Sequence, residues 1–234
     1  MSYIGTTKIG KMYLGTTEIA KAYLGTDLVF QNGLPYTPVE YIEGDGTAYI
    51  DTGVKGNAPM SATGKFTPVV SSYYVGCRKD SGGTRFWILS TSSSSNAGMS
   101  YGASAYANAI DVSTSITNGT PIEFRTSFNA GAQKLEIKQQ GDADYTAYNT
   151  ATSGTITTGI NVFIFAYNNA GTATGMKSGV KCYGVKLYSD ASFTTLVFDG
   201  VPCYYNGEYG LWDNVSHSFK GNAAGSGGFS GPQI

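Results

Sequence analysis

The sequence predicts an all-β protein in which a short N-terminal repeat stalk precedes a two-sheet antiparallel sandwich. Three observations carry this. Apolar residues come in short β-branched or aromatic runs bounded by Gly, Asn or Ser, and no stretch carries a helical i, i+3, i+4 stripe beyond a turn or two. Glycine, at 32 of 234 residues, is about twice its ordinary share of about 7%. Charged residues are only 13% of the chain, so Ser, Thr, Asn and Gly must make up the polar surface, beside 18 Tyr and 11 Phe.

The first element is a repeat over residues 3–30: YIGTTKIGKM, YLGTTEIAKA and a shortened YLGTDLVF. Tyr3, Tyr13 and Tyr23 fall in register, each followed by an aliphatic residue, a glycine and a threonine. A unit of about ten residues has room for one strand and one tight turn and cannot bury its own apolar face. The expected role of residues 1–30 is therefore assembly, most simply as a trimer. Ile4, Ile9, Leu14, Ile19 and Leu24 would face a common apolar axis, and each ribbon edge would find a partner. Residues 31–35, Gln-Asn-Gly-Leu-Pro, stop the pattern and read as a linker, which leaves residues 36–234 as one domain.

That domain opens with TPVEYIEGDGTAYIDTGVKGN, two strands joined by a short loop at Gly-Asp-Gly. Strand-like segments follow: SATGKFT, SYYVGCR, TRFWILS, PIEFRTSF, KLEIKQ, NVFIFAY and VKCYGVKLYS. About a dozen such strands imply two packed sheets. Residues 90–108, rich in Ser, Ala and Gly, read as a long loop with one short strand. The last 14 residues, GNAAGSGGFSGPQI, read as a flexible end or as a segment wrapping a neighbour, with Phe229 its apolar anchor.

A resemblance joins the domain's two ends. Tyr41, Ile42, Glu43, Gly46, Thr47, Tyr49, Ile50, Asp51, Thr52 and Gly53 match an opening YIE-x-x-GT-x-YIDTG phrase. Val201, Pro202, Cys203, Gly207, Glu208, Gly210, Leu211, Trp212, Asp213, Val215 and Phe219 match a closing one. Both resemble the concanavalin A-like (laminin-G-type) sandwich domains of many bacteriophage and gut-bacterial surface proteins. The Tyr-Leu-Gly-Thr decamers are similar to repeats in virion proteins of tailed phages of gut bacteria. The resemblance implies a jelly-roll sandwich on a head-fibre or tail-appendage protein. Its expected partners are a capsid or tail protein and cell-surface or mucosal glycans, and its expected place is the virion. Residues 1–30 lack the apolar core of a secretory signal, as expected for assembly in a host cytoplasm. The fold is silent on activity.

Net charge is −1 with no Lys/Arg cluster, and no apolar run approaches the roughly 18 residues of a membrane helix, so neither nucleic acid nor membrane is an expected partner. Cys77, Cys182 and Cys203, odd in number and widely spaced, read as free buried thiols. Glycosidase relatives carry an E-x-D-x-x-E strand that turns its carboxylates to one face; Glu43-Gly44-Asp45, read as part of a turn, has Ala48 where the last Glu should be. His217, the only histidine, lies near Asp213 and reads as a surface residue beside a structural acid. Asp45, Asp51, Asp142 and Asp144 offer oxygen ligands without a calcium-loop spacing. The expectation is a non-enzymatic protein without cofactor or metal; a glycan-cleaving depolymerase and a ligand-free cement protein are the alternatives.

Sugar binding needs aromatic faces for C–H surfaces and amides or carboxylates for hydroxyls. Tyr73, Tyr74, Tyr145 and Tyr148 are candidates, and Tyr101, Tyr106, Asn168 and Asn169 are preferred. Trp87 and Trp212 read as packed strand and corner residues.

Overall fold

The computed structural model describes the chain outside residues 1–2, 5–6, 9–11, 15, 20, 25–26, 32–33, 80–85, 92–95, 103–108, 130–131, 152–156 and 233–234. Every regular element among the described residues is a strand, and the chain divides into two compact units, Met1–Thr37 and Pro38–Ile234.

In the first unit each repeat forms two strands where the sequence suggested one. Tyr3–Ile4 pairs with Thr7–Lys8, Met12–Leu14 with Thr17–Ile19, and Lys21–Leu24 with Asp27–Gln31. The register repeats with the sequence: Ile4 faces Thr7, Leu14 faces Thr17 and Leu24 faces Asp27, each pair bracketing a Gly-Thr dipeptide. Antiparallel strands whose paired ends stand three residues apart in sequence make each repeat a hairpin. Leu14 is 77% exposed within the single chain. Ile4, Ile19 and Leu24 lie in hairpin strands, and Ile9 lies outside the described residues.

The second unit is a sandwich. The larger sheet runs in the order Thr146–Ala151, Ala132–Gln139, Ile122–Asn129, Met60–Thr67, Ser178–Tyr188, Leu196–Tyr205, Glu208–Asp213, Ser218–Lys220, and Ile42–Asp45 also pairs with Ser178–Tyr188. The second sheet runs Ala109–Ser115, Asn96–Gly102, Phe86–Thr91, Tyr73–Arg78, Thr157–Ile164, Ile50–Asn57. The described residues of the stretch 90–108 are a seven-residue strand, Asn96–Gly102, and the end of Phe86–Thr91.

Period-two alternation sorts the side chains. In Ile122–Asn129, Ile122, Phe124 and Phe128 are buried while Arg125 is exposed and Glu123 half-buried. Inward residues of both sheets meet in one core around Phe66, whose ring lies 5.1 Å from Tyr74, 5.9 Å from Phe124 and 6.2 Å from Phe165. The three cysteines are free and buried, and burial pushes the Cys77 thiol to about 11 and those of Cys182 and Cys203 to about 12.

The opening phrase is a corner between sheets. Ile42–Asp45 joins the larger sheet and Ile50–Asn57 the smaller one, so the two do not pair as a hairpin. Glu43-Gly44-Asp45 is in a strand, and the bend follows at Gly46, where φ is +95°. Asp45 fixes it: Oδ1 accepts from the Thr47 amide (2.8 Å), the Thr47 hydroxyl (2.8 Å) and the Ala48 amide (3.0 Å), and Oδ2 accepts from the Gly228 amide (2.7 Å). The last bond draws the C-terminal segment home. Phe229–Ser230 pairs with Ile42–Asp45 and the Phe229 ring sits 4.8 Å from Phe165, so this part of the segment, expected as a flexible end or a wrap around a neighbour, packs on its own sandwich.

The closing phrase is a hairpin whose turn, Asn206-Gly207, has φ of +50° and +92°, the left-handed pair a type I′ turn demands. Past it Asp213, 3% exposed, accepts from the Asp199, Val215 and Ser216 amides and the Ser216 hydroxyl. Its oxygens serve the turn, and His217 is exposed beside it.

These carboxylates link folding to pH. The Thr47 amide leads in holding Asp45 at about 2, against opposing burial and with help from the Thr47 hydroxyl and the Gly228 and Ala48 amides. Burial alone would raise Asp213, but its hydrogen bonds outweigh that and lower it. Both pKa values are depressed in the folded state, so their contribution is complete above the usual carboxylate range and is lost as pH falls through it toward about 2. Urea midpoints of Asp45→Asn/Asp213→Asn are expected to be lower at neutral pH and to fall less steeply below pH ~4 than those of the parent protein.

Candidate functional site on the outer face of the larger sheet

The residues that alternate away from the core make the outer face of the larger sheet. Register aligns Glu123 with Lys65 and Lys65 with Gly184, then Arg125 with Thr63, Thr63 with Lys186, and Lys186 with Asp199. At Lys65 the register shifts: a β-bulge at Tyr183 and Gly184 turns the Tyr183 ring toward the Lys65 ammonium, 5.1 Å from the ring centroid. The Tyr183 hydroxyl lies 3.0 Å from Thr67 Oγ1.

Two depressions open on this face. One, about 340 Å³, is lined by Thr63, Lys65, Glu123, Tyr145, Tyr183, Gly184, Lys186, Asp199, Gly200 and Val201, among others. The other, about 320 Å³, shares Lys65, Glu123 and Tyr183 and continues to Glu40, Lys138 and Gln139. Tyr145 donates to Glu123 Oε2 (2.9 Å) and carries the Arg125 guanidinium 4.1 Å above its ring. Burial first, then the hydrogen bond and charge of Glu123, push the Tyr145 hydroxyl above its usual value, so it remains a donor at neutral pH. Lys186 pairs with Asp199 at 3.6 Å, and Lys181 extends the pattern 4.3 Å over Tyr41 and 3.7 Å from Glu43. Aromatic faces beside fixed ammonium, carboxylate and hydroxyl groups form a surface that can stack against C–H groups and bond hydroxyls.

The residues preferred from sequence are elsewhere. Asn168 is 4% exposed; its Nδ2 donates to the Asn161 carbonyl (3.0 Å) and its Oδ1 accepts from the Gly171 amide (2.7 Å). It locks the hairpin of Tyr167–Asn169 and Thr172–Thr174 and does not sit on an exposed rim. Asn169 aligns with Arg78, and its Oδ1 is buried. Tyr101 aligns with Trp87 in the second sheet, away from the Lys65 face, and Tyr106 lies outside the described residues. Tyr74 is in the core, and Tyr73 packs at a tilt against Tyr167 with centroids 4.8 Å apart. Tyr145 of the wider set joins the new site, and the Tyr148 side chain lies outside the described residues. Asp142 Oδ2 accepts from the Gln139 amide (2.9 Å), a turn role, and no cluster of three metal-ligating side chains occurs among the described residues.

No family model and no curated protein sequence matches the chain. Among solved structures it is similar to a protein from Bacteroides ovatus ATCC 8483 provisionally described as carbohydrate-binding, at a TM-score of 0.55 and 11% identity, over 88% of this chain and 63% of that one. The fold is a concanavalin A-like, laminin-G-type sandwich. The LG1–3 region of the laminin α2 chain aligns at a TM-score of 0.49 and 14% identity, over 77% of this chain and 38% of that one. A heptameric pentraxin from Limulus polyphemus aligns at 0.39 and 12% identity, over 68% and 73%. The chain thus spans under two thirds of the length of the Bacteroides and laminin chains, and at these identities the likeness is one of fold.

Proposed function

We propose that this chain is a non-enzymatic adhesion component of a tailed-phage virion. Its N-terminal hairpins mount it on a capsid or tail protein as a trimer, and its sandwich binds glycans through the outer face of the larger sheet. The observation that carries the glycan reading is the Lys65–Tyr183–Glu123–Tyr145 cluster, where ring faces and fixed polar groups share one depression. The mounting is supported by the resemblance of the Tyr-Leu-Gly-Thr units to phage virion repeats and by their form. Isolated two-stranded hairpins are marginal in water, and Leu14 offers an apolar side chain for burial. Several weak sites on one particle would act together through avidity.

Display is favoured over cleavage by strand spacing. Glu123 and Asp199, the carboxylates of the 340 Å³ depression, stand on strands three steps apart. At about 4.8 Å per step they are roughly 14 Å apart. Glycosidases hold their pair at about 5–5.5 Å or about 6.5–9.5 Å.

The test is binding of the full chain to immobilised polysaccharides and mucin, with Lys65→Ala and Tyr183→Ala beside the parent. Each variant is expected to weaken binding about tenfold, the scale of one hydrogen bond to a charged group. Unchanged binding in both would move the site off this face.

A further inference from the structure

The register that builds the outer face also fixes its signs. Across Ala132–Gln139, Ile122–Asn129 and Met60–Thr67, one row aligns Lys138, Glu123 and Lys65, and the row beside it aligns Glu136, Arg125 and Thr63. Each cation of these rows therefore stands opposite a carboxylate. Along the first two strands the next outward residue again carries the opposite sign, Lys138 after Glu136 and Arg125 after Glu123. The second row continues through Lys186 to Asp199, which pair at 3.6 Å. Elsewhere on the sheet Lys134 meets Glu136 at 2.7 Å and Lys181 meets Glu43 at 3.7 Å.

Both depressions inherit this balance. The one of about 340 Å³ is lined by Lys65 and Lys186 against Glu123 and Asp199, and the one of about 320 Å³ by Lys65 and Lys138 against Glu40 and Glu123. All of these residues are half-buried or exposed. Neighbouring strands are about 4.8 Å apart, so the signs alternate within the roughly 8 Å over which physiological salt screens charge. A charged ligand meets both signs at once, and the face offers no field of one sign to steer it.

We infer that the outer face selects neutral glycans and rejects uronic-acid and sulfated ones, with Glu123 and Asp199 as the residues that exclude the anions. This rests on the glycan reading above and names the class of its ligand. The reason lies in what each group can do. An ammonium or guanidinium only donates and a carboxylate only accepts, whereas a hydroxyl does both. A neutral saccharide can turn its hydroxyls to suit every site of an alternating grid. An acidic one brings acceptor-only groups, which suit Lys65 and Lys186 but are repelled by Glu123 and Asp199 on the strands beside them.

The experiment uses the full-length protein. Affinities for two neutral polymers, β-glucan and mannan, and two acidic ones, hyaluronan and chondroitin sulfate, are measured for the parent and for Glu123→Gln/Asp199→Asn. The double variant turns both carboxylates of the 340 Å³ depression into neutral amides of similar shape. Each titration is run at about 0.1 M and about 1 M NaCl, which shortens the screening length from about 10 Å to about 3 Å. The parent is expected to bind a neutral polymer at least about tenfold more tightly than either acidic one, with less than about a twofold change between the two salts. The double variant leaves Lys65 and Lys186 uncompensated and should gain about tenfold in hyaluronan affinity at the lower salt, a gain that the higher salt removes. The parent's own comparisons decide the matter even where the double variant fails to fold. An acidic polymer bound as tightly as the neutral ones, neutral binding that collapses with salt, or a folded double variant that still rejects hyaluronan would overturn the selectivity alone. Absence of binding by the parent to all four polymers would overturn the glycan reading beneath it.

Discussion

Phe66→Ala is expected to lower the stability of the sandwich by about 3–5 kcal/mol, the usual range for truncating a buried aromatic. Phe66 is 0% exposed and is the ring through which the sheets meet: Phe124 comes from its own sheet, Tyr74 from the opposite one, and Phe165 closes the gap edge-on. Alanine would forfeit the transfer energy of the ring and leave a cavity that stiff neighbours, Ile50 and Ile122 among them, cannot fill. For a chain of this length the loss amounts to a melting point lower by roughly 10 °C. The adjacent residue gives the control. Lys65 points to the opposite face, so Lys65→Ala should change stability by only about 0.5 kcal/mol while removing a group of the proposed site. Thermal unfolding of the two variants separates the core from the site; comparable losses in both would mean that the outer face is structural.

Removing residues 1–30 is expected to convert an oligomer into a folded monomer. The second unit has its own core and closes its C-terminal segment onto its own sheet, so it has what it needs to fold alone. The three hairpins have the reverse character, since each is a two-stranded sheet with open edges. Light scattering of the full chain beside the truncated one checks this. A trimer falling to a monomer with an unchanged melting transition is the expected result. An oligomer that survives the truncation would place assembly on the sandwich.

The strands of the sandwich were legible because alternation and turn residues are local. Asn206-Gly207 and Gly46 mark their bends in the sequence itself. Which sheet a strand joins was not legible: Ile42–Asp45 and Ile50–Asn57 read as neighbours and part company at Asp45, whose decisive partner, the Gly228 amide, is 183 residues away. The repeats read as one strand and one turn because ten residues suit a strand of ordinary length, whereas the paired strands here are only two to five residues long.

The site was harder still. Asn168-Asn169 looked like an exposed loop, yet Asn168 is consumed in bracing its hairpin. Lys65 and Tyr183 lie in separate strands and meet only through cross-strand register plus a bulge; Gly184 in VKCYGVKLY was the one local sign of that irregularity. Trp212 was read as packed because GLWD is a corner. It is one, and the half-buried ring packs against Tyr205 with centroids 5.5 Å apart.

The most direct test of the outer-face site is backbone hydrogen exchange of the full chain with and without a bound polysaccharide. Protection is expected in Met60–Thr67, Ser178–Tyr188 and Leu196–Tyr205, the strands carrying Lys65, Tyr183 and Asp199. Protection confined to the hairpin of Tyr167–Asn169 and Thr172–Thr174, with these three strands unchanged, would contradict it and return the site to the amides first singled out in the sequence.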